Sequence, residues 1–391
     1  AMRTFLNVGM NDEVAETFSQ RTDNAWTSWD SYRRFLQSWG MANGVERDVF
    51  DQIMKTFKKE MNVKLKAEFT GTQMRSVAKA YQCALEESGF QIENNPLKQL
   101  NQAIYSVIDS WFSSSAKTFR DHMEIAEEWG TAILIQQMVL GNKSKQSGTG
   151  VVFTNSPFND LSGIHLFGDY VRCSQGEDVV SGLVHTLAIS ESQRKLSKQE
   201  SLGSLESDFP EIYLALRSLA SKLIEQHGFV HQEIEFTFES EDPKDLYILQ
   251  IRNQKLKKKK VDPSNLVIFD KGSLVGRGIG VNSGMVTGYV AFDAEDIEML
   301  KNQAHPIILI RPYTVPDDIP LIFAADALVT SKGGITSHAA VTAAGLGKVC
   351  IVNCRSLLID DESKSCTFEG HVFKAGDKMT LDGYLGNIYK S

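Results

Sequence analysis

Thr330–Asn353 reads TSKGGITSHAAVTAAGLGKVCIVN. A strand candidate, ALVTSK, runs into the glycine pair Gly333 and Gly334, where the backbone can turn tightly and approach a bulky group. Thr336 or Ser337 can cap the helix that AAVTAA continues, and KVCIVN beyond it reads as another buried strand. His338 then falls in a first helical turn, where unpaired N–H groups and the helix dipole favour an anion. A neutral imidazole is a competent nucleophile near physiological pH. Once phosphorylated, it would carry its charge beside those N–H groups and the hydroxyls of Thr336 and Ser337. The same residues also suit a histidine that merely packs at a helix start, and local physics does not choose between the two.

Outward from this segment, MVTGYVAFD, PIILIR and KMTLDGYLGNIY are further strand candidates, which gives residues 264–391 to one domain with a single short helix after GGITS. Before it, Gln254–Pro263 reads QKLKKKKVDP, the composition of an exposed, self-repelling hinge linker, with phosphate binding by the lysines as the alternative. Upstream, TAILIQQMVLG, GVVFT, IHLFGDYVRCS, EIEFTF and DLYILQIR alternate as strands around a helix near 208–227, a lobe spanning 131–253. Residues 1–130 read as a helical layer. In SWDSYRRFLQSWG, Trp29, Tyr32, Phe35, Leu36 and Trp39 recur at helical spacing, with Ser28 as N-cap and Gly40 as stop. Residues 45–62, 72–89 and 97–112 repeat the pattern.

The bulk numbers set limits. A chain of 391 residues holds two or three domains, and 42% hydrophobic with 23% charged residues is ordinary for a globular protein. A net charge of −8 argues against a generic binder of nucleic acid or acidic membrane. No apolar run approaches the ~20 residues that span a bilayer, and the N-terminus does not read as a signal peptide. Five scattered cysteines suit a reduced, cytoplasmic protein, with Cys350 and Cys354 as buried thiols rather than a metal pair.

A second cluster follows from strand alternation. Glu233, Glu235 and Thr237 share one face of EIEFTF, and Gln250 and Arg252 share one face of DLYILQIR. If these strands pair, two carboxylates, an amide and a guanidinium converge, a set suited to Mg2+ carrying nucleotide phosphates. A solvated face with one ion pair is the plainer alternative.

GGITSHAAVTAAGLGK resembles the phosphohistidine signature of the pyruvate phosphate dikinase and phosphoenolpyruvate synthase family, and it is most similar to the dikinase branch. RTFLNVGMNDE, WDSYRRFLQSWG, EEWGTAILIQQMVLGN, SGTGVVFT, SQGEDVVSG, EIEFTF and LYILQIRNQK resemble successive stretches of the dikinase ATP-grasp region. VGRGIGVNSGMVTGYVAFD is similar to the opening of its swivelling phosphohistidine domain. The resemblance implies an α+β, α/β multidomain chain: a helical layer, a partial ATP-grasp lobe and a swivelling β/β/α domain.

It also implies roles. His338 would accept a phosphoryl group in a loop built by Gly333, Gly334, Thr336, Ser337, Arg311 and Lys332. Glu235 and Gln250 would hold the Mg2+ of MgATP, Glu233 and Arg252 would line that pocket, and Glu177 and Asp178 would border the nucleotide. ATP, phosphate and pyruvate or phosphoenolpyruvate are the implied substrates, and a homodimer is compatible with the family. In the plant enzymes the threonine matching Thr336 is a regulatory phosphorylation site.

The likeness omits the first ATP-grasp lobe and the C-terminal pyruvate barrel, which either separate polypeptides supply or the rest of a longer chain carries. Lys332, Ala344 and Asn155 stand where arginines are usual, in SKGG, AAGLG and FTNSP, while Arg311 is retained. These changes weaken anion handling and leave a catalytically degenerate ATP-binding or regulatory protein as the alternative.

Overall fold

The computed structural model describes residues 4–63, 66–113, 116–117, 120, 125–156, 162–180, 182, 184–196, 202–254, 274–282, 284–314, 318–360 and 363–391. Of the expected linker, Gln254–Pro263, only Gln254 falls among them. The chain forms two compact units, Ala1–Met138 and Val139–Ser391.

The first unit is helical: α1 (Asp12–Thr22), α2 (Ala25–Ala42), α3 (Arg47–Glu60), α4 (Gly71–Glu87) and α5 (Pro96–Ser110). Helix α2 runs through its centre. The expected stripe of Trp29, Tyr32, Phe35, Leu36 and Trp39 packs with Phe50, Met74, Val77, Tyr81 and Leu85 in one core. The cap positions are corrected. Asn24 accepts from the Thr27 N–H, while Ser28 is buried and donates to the Ala15 carbonyl. Gly40 lies inside the helix, and a Cβ there would come within 2.6 Å of Leu85 and Phe50. Small residues that look like helix punctuation are here contact points between helices.

Buried in the same helix, Asp30 accepts from Arg33 Nε at 2.8 Å and Arg34 Nε at 2.9 Å, with Lys66 Nζ at 3.4 Å. Burial works to raise the Asp30 carboxyl, but the three cations outweigh it and hold the group well below the usual carboxylate range.

The expected strand TAILIQQMVLG does not form: Thr131–Leu140 pairs with no strand among the described residues, and Leu134 and Ile135 are exposed. Alternation states that a segment fits a pleated surface, but a strand also needs a hydrogen-bonding neighbour.

The second unit begins with β1 (Gly148–Phe153), β2 (Phe167–Arg172), α6 (Gly176–Val180), β3 (Leu187–Ala188), α7 (Glu191–Leu196), α8 (Leu205–Asp208), α9 (Pro210–Ser221), β4 (Gln232–Phe238) and β5 (Leu246–Asn253). Its five-stranded antiparallel sheet has the order β3-β2-β1-β4-β5. One face buries Val152, Tyr170, Ile234 and Phe236 with Ile212, Leu216 and Ala220 of α9.

Next come β6 (Leu274–Arg277), β7 (Ile279–Gly280), β8 (Met285–Ala291), α10 (Ala294–Asn302), β9 (Ile307–Arg311), α11 (Ile319–Ala324), β10 (Ala327–Thr330), α12 (His338–Gly345), β11 (Val349–Val352), β12 (Leu357–Asp360), β13 (Ser365–Phe368), β14 (His371–Lys374), β15 (Lys378–Asp382) and β16 (Asn387–Lys390). They make an eight-stranded mixed sheet, β6-β16-β15-β8-β9-β10-β11-β7, and a three-stranded sheet, β12-β13-β14. One core lies between the sheets, around Phe368 and Phe373, and another lies under α10, α11 and α12. The single helix expected here is corrected: among the described residues α10 and α11 form as well as α12. Cys350, Cys354 and Cys366 are buried and free, whereas Cys83 and Cys173 are exposed. No helix among the described residues is long and apolar enough to cross a membrane.

Removing Asp30 would leave two buried guanidinium groups without their carboxylate, so Asp30→Ala is expected to cost about 3–5 kcal/mol. Chemical unfolding followed by the fluorescence of Trp26, Trp29 and Trp39 on α2 reads this directly. Because the folded carboxyl titrates below its unfolded value, the stabilisation is present above ordinary carboxylate pH and is lost as the pH falls through the folded value.

Candidate functional site

His338 opens α12, and Ser337 is its N-cap, accepting from the Ala340 N–H at 3.4 Å while its hydroxyl donates to the Gly334 carbonyl at 2.7 Å. The imidazole is half-buried, with Nδ1 3.4 Å from the Thr314 hydroxyl. Burial lowers its pKa below the usual range, and the Asp318 carboxylate opposes this. The ring is therefore held neutral at physiological pH, with Nε2 as the nitrogen that no described residue bonds. Arg311, at the end of β9, donates to Asp318 Oδ1 at 3.0 Å and to the Phe292 carbonyl at 3.3 Å, and its buried Nε has no partner among the described residues. Asp318 thus links Arg311 electrostatically to His338. Lys332 Nζ sits 6.0 Å above the Tyr313 ring.

Thr336 is not the helix cap. Its N–H and hydroxyl both donate to Asp169 Oδ2, at 2.9 and 3.0 Å, and Thr186 donates to the other oxygen at 2.8 Å. Asp169 belongs to β2 of the five-stranded sheet and is fully buried; burial raises its pKa against the pull of these donors. A Cβ on Gly334 would lie 2.1 Å from Asp169 Oδ1, so only glycine lets the loop reach the carboxylate. Gly333, at φ 82, donates its N–H to the Val184 carbonyl and packs against Gly182. Sequence reading missed Asp169. The only available signal was an acid at a position in IHLFGDYVRCS that alternation assigns to one face of a strand.

The second cluster forms as alternation implied. In the register of β4 and β5, Glu233 lies opposite Arg252 and Glu235 opposite Gln250. Arg252 Nη2 is 2.6 Å from Glu233 and 3.6 Å from Glu235. Burial raises the Glu235 pKa, and Glu233 adds to this against Arg252. Gly176, at the start of α6, sits against Thr149, whose hydroxyl is 2.8 Å from that of Thr237 on the carboxylate face. Next in α6, Glu177 is exposed, whereas Asp178 is buried and accepts from Ser174 at 3.0 Å. No group of three or more His, Cys, Asp or Glu among the described residues could hold a metal. Two carboxylates and an amide nevertheless fit Mg2+ that arrives with phosphate and water oxygens.

Register joins the two clusters. Asp169 pairs with Val151, Val151 with Glu235, and Glu235 with Gln250, so all four point to one face of the sheet. Asp169 and Glu235 are two strands apart, roughly 10 Å at ordinary strand spacing. The His338 loop is therefore hydrogen-bonded to the same face that carries Glu235 and Gln250.

The chain is similar to known proteins over both of its units. A family described as "Pyruvate phosphate dikinase, AMP/ATP-binding domain" matches residues 1–207, and "PEP-utilising enzyme, mobile domain" matches 303–386. The chain is 33% identical to pyruvate, phosphate dikinase of Clostridium symbiosum over 100% of its own length and 46% of that protein. It is 33% identical to the dikinase of Rickettsia prowazekii over 99% of the chain and 46% of the relative. With the chloroplastic dikinase of Flaveria trinervia the figures are 32%, 99% and 42%. The chain spans about half the length of these curated relatives.

Two glycine substitutions separate the loop contact from general helix effects. Gly334→Ala would overpack against Asp169 and is expected to cost about 1–3 kcal/mol. Gly345→Ala, with nothing within 4 Å of the added methyl, should be neutral or stabilising. Thermal unfolding of the two variants side by side tests the difference, and equal melting temperatures would contradict the contact.

Proposed function

The chain belongs to the pyruvate, phosphate dikinase family, and from that premise we propose that it carries a phosphoryl group from MgATP on His338. The single observation that carries the reading is the shared sheet face, with the His338 loop bonded to Asp169 in the row that holds Glu235 and Gln250. In this reading residues 131–253 act as a partial ATP-grasp lobe and residues 264–391 as the swivelling phosphohistidine domain. Glu235 and Gln250 hold Mg2+, which neutralises charge on the phosphates, and Glu233 and Arg252 line the same pocket. Glu177 and Asp178 border the nucleotide. His338 Nε2 attacks the β-phosphorus of ATP; the bond to the α-phosphate bridging oxygen breaks and AMP leaves, with the β- and γ-phosphoryl groups now on Nε2. Inorganic phosphate then attacks the γ-phosphorus, the bond from the γ-phosphorus to the β–γ bridging oxygen breaks, pyrophosphate leaves and the β-phosphoryl group stays on His338. Pyruvate, the acceptor proposed from the relatives' name, would be engaged by a barrel supplied with the rest of the family's architecture, in a cytoplasmic enzyme.

Label from ATP marked at the β-phosphate, with Mg2+ and phosphate, should appear on the wild-type chain as an acid-labile, base-stable adduct and be absent from His338→Ala. Each protein is run alone and with native host extract, which supplies any missing lobe. Absence of label in both conditions from folded protein would instead favour a degenerate ATP-binding protein, the reading that Lys332 and Ala344 support. Where label forms, its rate should stay flat as pH falls toward about 6.5, the ordinary histidine value, and decline only below it, because burial holds His338 neutral. Asp318→Asn should move that decline to lower pH still.

A further inference from the structure

The part of the chain that carries His338 bonds to the segment between α6 and β3 as well as to Asp169. Asn353, at φ 55 and 2% exposed, closes the end of β11. Its Nδ2 donates to the Thr186 carbonyl at 3.2 Å, and Arg355 Nη2 donates to the same carbonyl at 2.9 Å. With its NH2 turned to Thr186, Asn353 presents its oxygen to His185, whose Nδ1 lies 3.0 Å away and is the donor. The Gly333 N–H crosses too, to the Val184 carbonyl at 3.0 Å. Val184, His185 and Thr186 are therefore one docking strip, and the Thr186 hydroxyl joins it to Asp169 at 2.8 Å.

One group in the strip titrates near neutrality. His185 is half-buried, and its imidazole is held below its usual range by burial and, against the Asn353 hydrogen bond, by the charges of Arg355 and Lys332. A proton would not break the bond to Asn353, because Nδ1 donates in both charge states. It would instead place a second cation beside Arg355, partly out of water, and parting of the two surfaces relieves both costs. The docked contact is therefore at full strength above the ordinary histidine value and weakens as the pH falls through it. Asp169, the acid that Thr186 shares with the loop, works in the opposite sense: burial raises its pKa, so its proton uptake favours the docked state.

We propose that His185 is a positioning residue with a pH-dependent hold: neutral, it docks the His338 loop on the five-stranded sheet through Asn353; protonated, it releases it. The inference deepens the phosphoryl-transfer reading and rests on it for its purpose, since a loop that takes a phosphoryl group at one place must leave that place to pass the group on. The contact itself stands on the hydrogen bonds of Gly333, Asn353 and Arg355, whatever the chain transfers.

Hydrogen exchange of the full chain tests this without ATP or turnover. The N–H groups of Thr336 and Gly333 both donate across the contact, so their protection, corrected for the intrinsic effect of pH, reads how far it is closed. Between about pH 7.5 and about pH 5.5, wild-type protection is expected to fall several-fold, with about tenfold as the ceiling for one proton and an ordinary value near 6.5. The ladder N–H groups between β1 and β4 should keep theirs, which separates release of the loop from unfolding. His185→Gln keeps an amide donor toward Asn353 and takes up no proton, so the fall should vanish there while Asp169 titrates as before. Arg355→Gln, which removes an exposed charge, should shrink the fall, and it decides the matter if His185→Gln does not fold. Wild-type protection that does not change with pH, or a fall that is equal in a folded variant, would overturn the proposal. Failure to label His338 would leave this result standing and count against the carrier reading alone.

Discussion

The carboxylate of Asp169 holds the second unit's functional geometry together. It is buried on a strand of one sheet and accepts from the backbone and hydroxyl of Thr336, which belongs to a loop of another sheet. A buried acid without donors would cost several kcal/mol or take up a proton. This one accepts from the Thr186 hydroxyl and from the N–H and hydroxyl of Thr336, which lies in the loop that leads into His338. Each side satisfies the other: the loop presents donors that a helix entry leaves unpaired, and the sheet presents an acceptor that cannot reach water. The fit has little tolerance, since one methyl on Gly334 would overlap the carboxylate.

From that contact the arrangement of the candidate site follows. The sheet has two faces with different work. The face bearing Ile234 and Phe236 is filled by α9, which fixes the register and so fixes what the opposite face presents. A slip by one residue would bury Glu235 and expose Ile234. With the register set, Asp169, Val151, Glu235 and Gln250 form a row, and whatever bonds Asp169 must lie over that row. The hydroxyl of Thr336 is committed there, so a reaction at that hydroxyl first requires the loop to leave Asp169.

Much of this was legible from residues alone. The helix start at His338 and the pairing of Glu233, Glu235, Gln250 and Arg252 were local problems, solved by turn chemistry and alternation. Asp169 was not legible, because its role depends on a loop 167 residues away. The same limit explains α2: Ser28 and Gly40 resemble a cap and a stop, yet Ala15, Leu85 and Phe50 determine what those small residues do. It also explains Thr131–Leu140, where the pattern of a strand was present and a pairing strand was not among the described residues.

Asn155 shows how the same limit affects the weighing of a departure from the family. By sequence it is a lost positive charge where FTRNP is usual. In place, it is fully buried, and both ends of its amide are used: Oδ1 accepts from the Ser156 N–H at 2.7 Å, and Nδ2 is 3.3 Å from His231 Nε2. The Asn155 carbonyl accepts from Gln254 at 2.9 Å, and His231 Nδ1 is 3.1 Å from the Thr154 hydroxyl. Through its side chain and its backbone carbonyl, Asn155 therefore ties the residue before β4 to the residue after β5, two residues from the Glu233–Arg252 pair. Donors and acceptors at this position are matched, and a guanidinium, which has no acceptor, could not replace the amide oxygen. The substitution has removed a charge and installed a brace. A brace is a reason to count Asn155 with the groups that set the geometry of the Glu233 end of the sheet, and not as a mark of decay.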